Sequence, residues 1–126
     1  MSKIVTFANV KGGSGKSTLC VNIAAMLVKL NRSVCVIDSD PQQSTYDWII
    51  NTKDPLLSQV NCRDVSNLEA LSEIDDEFIL IDTQGNLNKE LADFLKISSL
   101  VLVPCRVSRD DIVGQGWVQM LSLIHI

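Results

Sequence analysis

Ten residues restrict the fold of this chain more than any others: Asn9-Val10-Lys11-Gly12-Gly13-Ser14-Gly15-Lys16-Ser17-Thr18. Three glycines in four positions cannot continue a strand or open a helix at low cost, so they read as a turn. Residues 3–8, immediately before, form a short apolar run rich in β-branched side chains. Residues 17–30, immediately after, carry Leu19, Ile23, Met26, Leu27 and Leu30 at helical spacing, with Asn31 as the stop. A strand therefore feeds a helix through a glycine loop. Such a loop turns consecutive backbone N–H groups inward, at the positive end of the helix dipole, and makes a nest for an anion.

The rest of the chain repeats the alternation. Residues 33–38 (SVCVID) read as a buried strand ending in acid, residues 44–51 as a short helix, 57–62 as a strand and 66–74 as a helix with Ser66 and Glu69 as its capping box. Residues 77–82 (EFILID) form a third clear strand, again ending in aspartate. Residues 87–97 follow as a helix with Leu91, Phe94, Leu95 and Ile97 on its apolar stripe, 98–105 as a buried strand and 110–123 as a last helix. Strands alternating with helices give an α/β fold, a mostly parallel sheet of about five strands with helices on both faces. Right-handed crossovers put the carboxyl ends of the strands along one edge, and the glycine loop and both aspartates along with them.

Length and composition narrow the classes further. The 126 residues predict one domain, and 46% hydrophobic with 21% charged residues excludes a disordered or low-complexity chain. A net charge of -4 excludes a surface that is basic throughout, as a general nucleic-acid cloak requires. Cys20, Cys35, Cys62 and Cys105 are widely spaced and accompanied by one histidine, His125, so they read as reduced thiols rather than a zinc set. With neither a leader pattern nor an 18-residue apolar window, the expectation is a cytoplasmic chain. The apolar end, LSLIHI, suggests a domain that is incomplete at its C-terminus.

Within the loop, Lys16 supplies a full positive charge for β- and γ-phosphates, Ser17 the hydroxyl for Mg²⁺, and Thr18 a contact to the α-phosphate, while Gly12, Gly13, Ser14 and Gly15 supply amides. The usual G-x-x-x-x-G-K-[ST] pattern fails at its first glycine, where Val10 stands, and a second lysine, Lys11, follows. That variant resembles the deviant Walker A motif, N-x-K-G-G-x-G-K-[ST], of the ParA/MinD family of P-loop ATPases. Asp38-Ser39-Asp40-Pro41-Gln42-Gln43-Ser44 resembles the family's D-x-D-P-Q switch segment, and Phe78-Ile79-Leu80-Ile81-Asp82-Thr83 its Walker B strand. The three motifs occur in family order. The stretch through Trp48, with Val101-Leu102-Val103-Pro104, is most similar to the small ParA-type partition ATPases, and the likeness spans residues 3 to about 121.

The resemblance implies a P-loop NTPase fold and a dimeric switch, driven by Mg-ATP, that separates plasmid or chromosome copies. It implies that Lys11 reaches the phosphates of a partner subunit, that Asp82 holds Mg²⁺ through a water, and that Asp40 positions the attacking water. By residue chemistry alone, Asp40 also suits a helix N-cap, Asp82 a turn, and Asp38 a hydrogen bond to the loop backbone. A homodimer, a ParB-like partner protein and non-specific DNA complete the implied partners, with no membrane.

Two departures stand out. Relatives often read D-T-P where this chain has Asp82-Thr83-Gln84, and family members generally continue well past residue 126 into segments that pocket adenine and bind DNA. Arg106 and Arg109 follow the fifth expected strand and read as a solvated loop, too few for a basic patch. Residues 118–126 lack the basic face of a membrane-surface helix and are expected to pack on the sheet. The other function classes are a nucleotide-driven metabolic or electron-transfer enzyme of the same superfamily, with Cys105 as a candidate cluster ligand, and an ATPase that positions a membrane system or large protein cargo.

Overall fold

A computed structural model of the chain describes residues 2–8, 16–39, 44–63, 68–83, 89–104 and 121–125. Strand β1 (Lys3–Phe7) leads toward helix α1 (Lys16–Lys29), followed by β2 (Val34–Asp38) and α2 (Ser44–Asn51). A 3₁₀ turn (Leu57–Gln59), the short strand β3 (Asn61–Arg63) and a second 3₁₀ segment (Leu68–Glu73) lead into β4 (Phe78–Asp82), α3 (Lys89–Ile97), β5 (Leu100–Pro104) and β6 (Leu121–His125). Among the described residues one six-stranded sheet has the order β3-β2-β4-β1-β5-β6, and only its β5–β6 pairing is antiparallel.

The order of the strands locates the site. From β1 the chain crosses through α1 to β2 on one side of the sheet, whereas from β4 it crosses through α3 to β5 on the other. The β1–β4 boundary is therefore a topological switch point, and the carboxyl ends of these two strands are where doubly wound sheets bind their ligands.

Alternation along the strands separates two cores. Phe7, Val34, Val36 and Leu80 face Cys20, Val21, Ala24 and Val28 of α1, together with Ile49 of α2 and Leu57. Cys35, Ile37, Ile79 and Ile81 face Leu71, Ile74 and Phe94, and a smaller cluster joins Ala8, just after β1, and Val101 of β5 to Leu91 of α3. Strand β2 is buried over its whole length, as expected of an apolar strand covered on both faces. These layers are the three-layer α/β/α fold read from the sequence.

Several boundaries differ from the sequence reading. The buried face of α1 is Cys20, Val21, Ala24 and Val28, while Met26 and Leu30 are exposed. Leu19, Ile23 and Leu27 of the expected stripe pack partly buried against the same core, so periodicity placed the centre of the buried face to one side in a helix that is apolar nearly all round. Residues 57–62 are not one strand: Asp54 Oδ1 accepts from the amides of Leu56 and Leu57 at 2.8 and 3.4 Å, and this Asx-type cap starts a turn instead. The helix expected over 66–74 is the 3₁₀ segment Leu68–Glu73, and its expected cap, Ser66, lies outside the described residues. Ile97 is 38% exposed rather than part of the buried stripe of α3. The helix expected over 110–123 is overturned at its end, where Leu121–His125 is a strand on β5. An otherwise open sheet edge accounts for that outcome, since its unpaired backbone groups gain partners from an antiparallel strand.

Asn31 does stop α1. It has φ 63°. Its amide donates to Val28 O and that of Arg32 to Leu27 O, both at 2.9 Å, the paired bonds of a Schellman cap.

Candidate functional site

Asp82 is the last residue of β4, and strand parity turns its side chain toward the face covered by α1 and α2. It is 1% exposed. Its carboxylate gathers three side chains. Lys16 Nζ, also buried, forms an ion pair with Oδ1; Ser17 Oγ donates to Oδ2 at 2.9 Å, and Thr45 Oγ1 donates to the same oxygen at 2.5 Å. Lys16 and Ser17 are the first two residues of α1, so the start of this helix is aimed at the end of β4.

Further bonds fix the frame. Ser39 donates its amide at 2.9 Å and its hydroxyl at 3.1 Å to Asp82 O, extending the β2–β4 pairing by one residue. Thr83 donates its hydroxyl to Phe7 O at 2.7 Å, which ties the end of β4 to the end of β1. Asp38 is in register with Asp82 on the neighbouring strand, equally buried, and its Oδ2 accepts the amide of Tyr46 at 2.9 Å. It thus serves a backbone amide of α2, where the sequence suggested one of the loop.

The geometry brings Lys16, Ser17 and Asp82 together. Thr18 is exposed and stands outside this cluster. Lys11, Gly12, Gly13, Ser14, Gly15 and Asp40 lie outside the described residues, as do Gln84, Cys105, Arg106 and Arg109. Thr45 was not singled out by the sequence. A hydroxyl in the first turn of a helix signals a local cap, and nothing in the spacing connects it to a carboxylate 37 positions away. The donor set, one carboxylate and the hydroxyl of Ser17, consists of hard oxygens that suit Mg²⁺. Among the described residues no group of three His, Cys, Asp or Glu side chains forms a metal cage. A cation held here therefore completes its shell with water and ligand oxygens, as Mg²⁺ does beside phosphates.

The described cysteines are free thiols, and none joins a group of three metal-ligating side chains among the described residues. Burial raises the Cys20 thiol well above its ordinary range, with Asp82 adding to the effect. Burial likewise lifts Cys35 to about 11 and Cys62 to about 12.

A sheet in this order, parallel from β3 to β5, with a helix that follows a glycine-rich sequence and meets a strand-end carboxylate in its first turn, is the fold of a P-loop nucleotide-binding protein. Residues 5–117 match the CobQ/CobB/MinD/ParA nucleotide binding domain, and the chain belongs to that family. This agrees with the resemblance read from the motifs. The maintenance of carboxysome distribution protein A of Halothiobacillus neapolitanus is 30% identical over 112 residues, covering 83% of this chain and 51% of its own length. Among solved structures, a plasmid partition protein from Borrelia burgdorferi bound to AMPPNP superposes with a TM-score of 0.63 at 21% identity, covering 81% of this chain and 62% of that one. The pNOB8 ParA bound to nonspecific DNA superposes with a TM-score of 0.60 at 20% identity, over 87% of this chain and 56% of that one. At these identities the structures speak for the fold. The chain spans about half the length of the curated relatives that it matches over most of its own residues. Among the described residues, no helix is long and apolar enough to cross a membrane.

Proposed function

We propose that this chain is the phosphate-binding half of an ATP-hydrolysing partition switch that works in the cytoplasm on plasmid or chromosomal DNA. The observation that carries the reading is the convergence of Lys16 and Ser17, from the start of α1, on Asp82 at the switch point of the sheet. In this reading the amides of residues 11–18 wrap the phosphates, Lys16 neutralises the β- and γ-phosphates, and Thr18 serves the α-phosphate. Ser17 and Asp82 hold Mg²⁺, which supplies charge neutralisation for the transferred phosphoryl group. Asp40 positions the attacking water. Lys11 adds a second cation in trans, so that ATP drives a homodimer. A ParB-like partner stimulates hydrolysis, and the dimer binds non-specific DNA through segments such as those the longer relatives possess.

A solved neighbour bound to AMPPNP and another bound to nonspecific DNA support the nucleotide and the DNA in this reading. A second reading keeps the same chemistry and changes the cargo. The Halothiobacillus relative is named for carboxysome distribution, which favours positioning of a large protein body as the alternative to DNA partition. Cys105, the candidate cluster ligand of the electron-transfer reading, lies outside the described residues.

Calorimetric titration with AMPPNP and Mg²⁺ tests the phosphate loop. The parent is expected to bind and Lys16→Ala, checked for folding by circular dichroism, to lose binding by at least about a hundredfold, the effect of losing a charged contact to phosphate. A folded Lys16→Ala protein that binds as tightly as its parent overturns the role given to Lys16.

A further inference from the structure

The first turn of α2 makes a contact that the phosphate-loop reading leaves unused. Thr45, fully buried, donates to Asp82 Oδ2, the same oxygen that receives Ser17, while Lys16 occupies Oδ1. Among the described residues, three donors reach this carboxylate, and they come from two elements, α1 and α2. Lys16 and Ser17 belong to the phosphate loop and its helix. A polyphosphate attracts the ammonium of Lys16, and a dication requires a lone pair of Ser17 Oγ, whose hydrogen must then turn away from the metal. Thr45 lies outside that loop, in the first turn of α2. Of the three, it is the donor that belongs neither to the phosphate loop nor to its helix.

We propose that Thr45 is a positioning residue for the cation site: it holds the Asp82 carboxylate in place when Lys16 and Ser17 are drawn to the nucleotide, and so ties the start of α2 to the loaded site. The inference rests on the phosphate-loop reading above. A buried carboxylate with no remaining donor is costly and free to rotate away from the metal, so a retained hydroxyl directly favours cation binding. The second tie of α2, from the Tyr46 amide to Asp38, runs through the backbone and is independent of the Thr45 side chain. Thr45→Val, close in shape and lacking the hydroxyl, therefore removes one link and leaves the helix anchored.

The test is titration of AMPPNP into the parent, Thr45→Val and Thr45→Ser, each with EDTA and with Mg²⁺, together with hydrogen exchange of the α2 amides. Magnesium is expected to tighten binding by the parent and by Thr45→Ser. Thr45→Val should match the parent in EDTA and lose about tenfold of the gain from magnesium, the scale of one hydrogen bond to a charged group. Mg²⁺ with AMPPNP should slow exchange in the first turn of α2 in the parent and Thr45→Ser, and not in Thr45→Val. Equal loss with and without magnesium would indicate a merely structural role and overturn the proposal, as would full retention of the gain. A parent that binds no AMPPNP overturns the phosphate-loop reading and this inference with it, whereas a binding parent with an indifferent Thr45→Val overturns this inference alone.

Discussion

Asp38 and Asp82 stand in register on adjacent parallel strands, each 1% exposed, and each accepts a hydrogen bond from the first turn of α2. Two carboxylates buried side by side raise one another's energy, and the ammonium of Lys16 supplies Asp82 with its counter-charge. Removing that cation strands a buried anion, so Lys16→Met is expected to destabilise the free protein by about 3–5 kcal/mol in urea unfolding. The double variant Lys16→Met/Asp82→Asn should recover part of that loss, because it removes both charges together. Lys16→Met unfolding at the parent's midpoint would show that the pair contributes nothing in solution.

Thr6 and Ser98 form a second buried polar link with a built-in direction. Ser98 donates its only hydroxyl hydrogen to Phe94 O at 2.7 Å, so in the Thr6–Ser98 hydrogen bond Thr6 is the donor. Ser98→Ala leaves both the Thr6 hydroxyl and a carbonyl of the last turn of α3 without this partner, and should cost about 1–3 kcal/mol. Thr6→Val removes a donor and leaves only an acceptor lone pair unmet, so its cost should stay below about 1 kcal/mol. Thermal unfolding of the two variants decides the matter; equal losses would contradict the assigned direction.

The left-handed conformation of Asn31 gives a prediction of opposite signs. At φ 63° a β-carbon is disfavoured, asparagine tolerates the strain better than alanine, and glycine carries none. Asn31→Ala should lower stability by about 1 kcal/mol, and Asn31→Gly should leave it unchanged or raise it slightly. A glycine variant less stable than the alanine variant would mean that the side chain, rather than the backbone, makes the cap.

How far the sequence revealed this architecture depended on whether a segment had alternatives. Helix α2 was read with its observed bounds, Ser44–Asn51, because proline and an acidic turn precede it and polar residues end it. Strands β2 and β4 were equally plain, being apolar runs closed by aspartate. The phase of α1 was hidden because apolar side chains occupy almost its entire circumference, and which of them face the sheet is settled by packing. Strand β6 was hidden for a different reason. Its apolar residues fit a helix or a strand, and an available sheet edge, a tertiary feature, selects the strand. In the site, Lys16, Ser17 and Asp82 carried motif spacing, whereas Thr45 meets Asp82 only through the fold.

The described cysteines predict an alkaline loss of stability. Burial lifts Cys35 from an ordinary 9.0 to about 11 and Cys62 to about 12. Below pH about 9 both folded and unfolded chains keep these thiols protonated, so they add no pH dependence there. Between pH 9 and 11 the unfolded chain loses the thiol protons first and binds fewer than the native one, so stability falls as pH rises. Cys35→Ala should show a shallower decline than the parent across this window in urea midpoints at successive pH values, because lysine and tyrosine titrations are common to both. Parallel declines would mean that the Cys35 thiol ionises alike in the two states.

In the proposed switch, the role given to Lys11 separates nucleotide binding from dimer formation. In the proposed switch Lys16 is recruited by the phosphates of its own subunit, and Lys11 by those of the partner, where it offsets charge on the transferred group. Loss of Lys11 then leaves the amides of the loop and Lys16 in place for the monomer's own nucleotide, so AMPPNP affinity at concentrations too low for association should change by less than about threefold. The dimer, by contrast, loses two buried contacts between a cation and phosphate and gains an uncompensated polyanion at its interface, a strongly unfavourable exchange. Light scattering of Lys11→Ala with Mg²⁺ and AMPPNP should therefore report a monomer under conditions in which the parent doubles its mass. Weakening of the parent's dimer by added salt is expected as well, since salt screens a contact between cation and phosphate. If Lys11→Ala dimerises as the parent does, the second lysine of the loop acts within its own subunit, and the interface must be sought elsewhere on the chain.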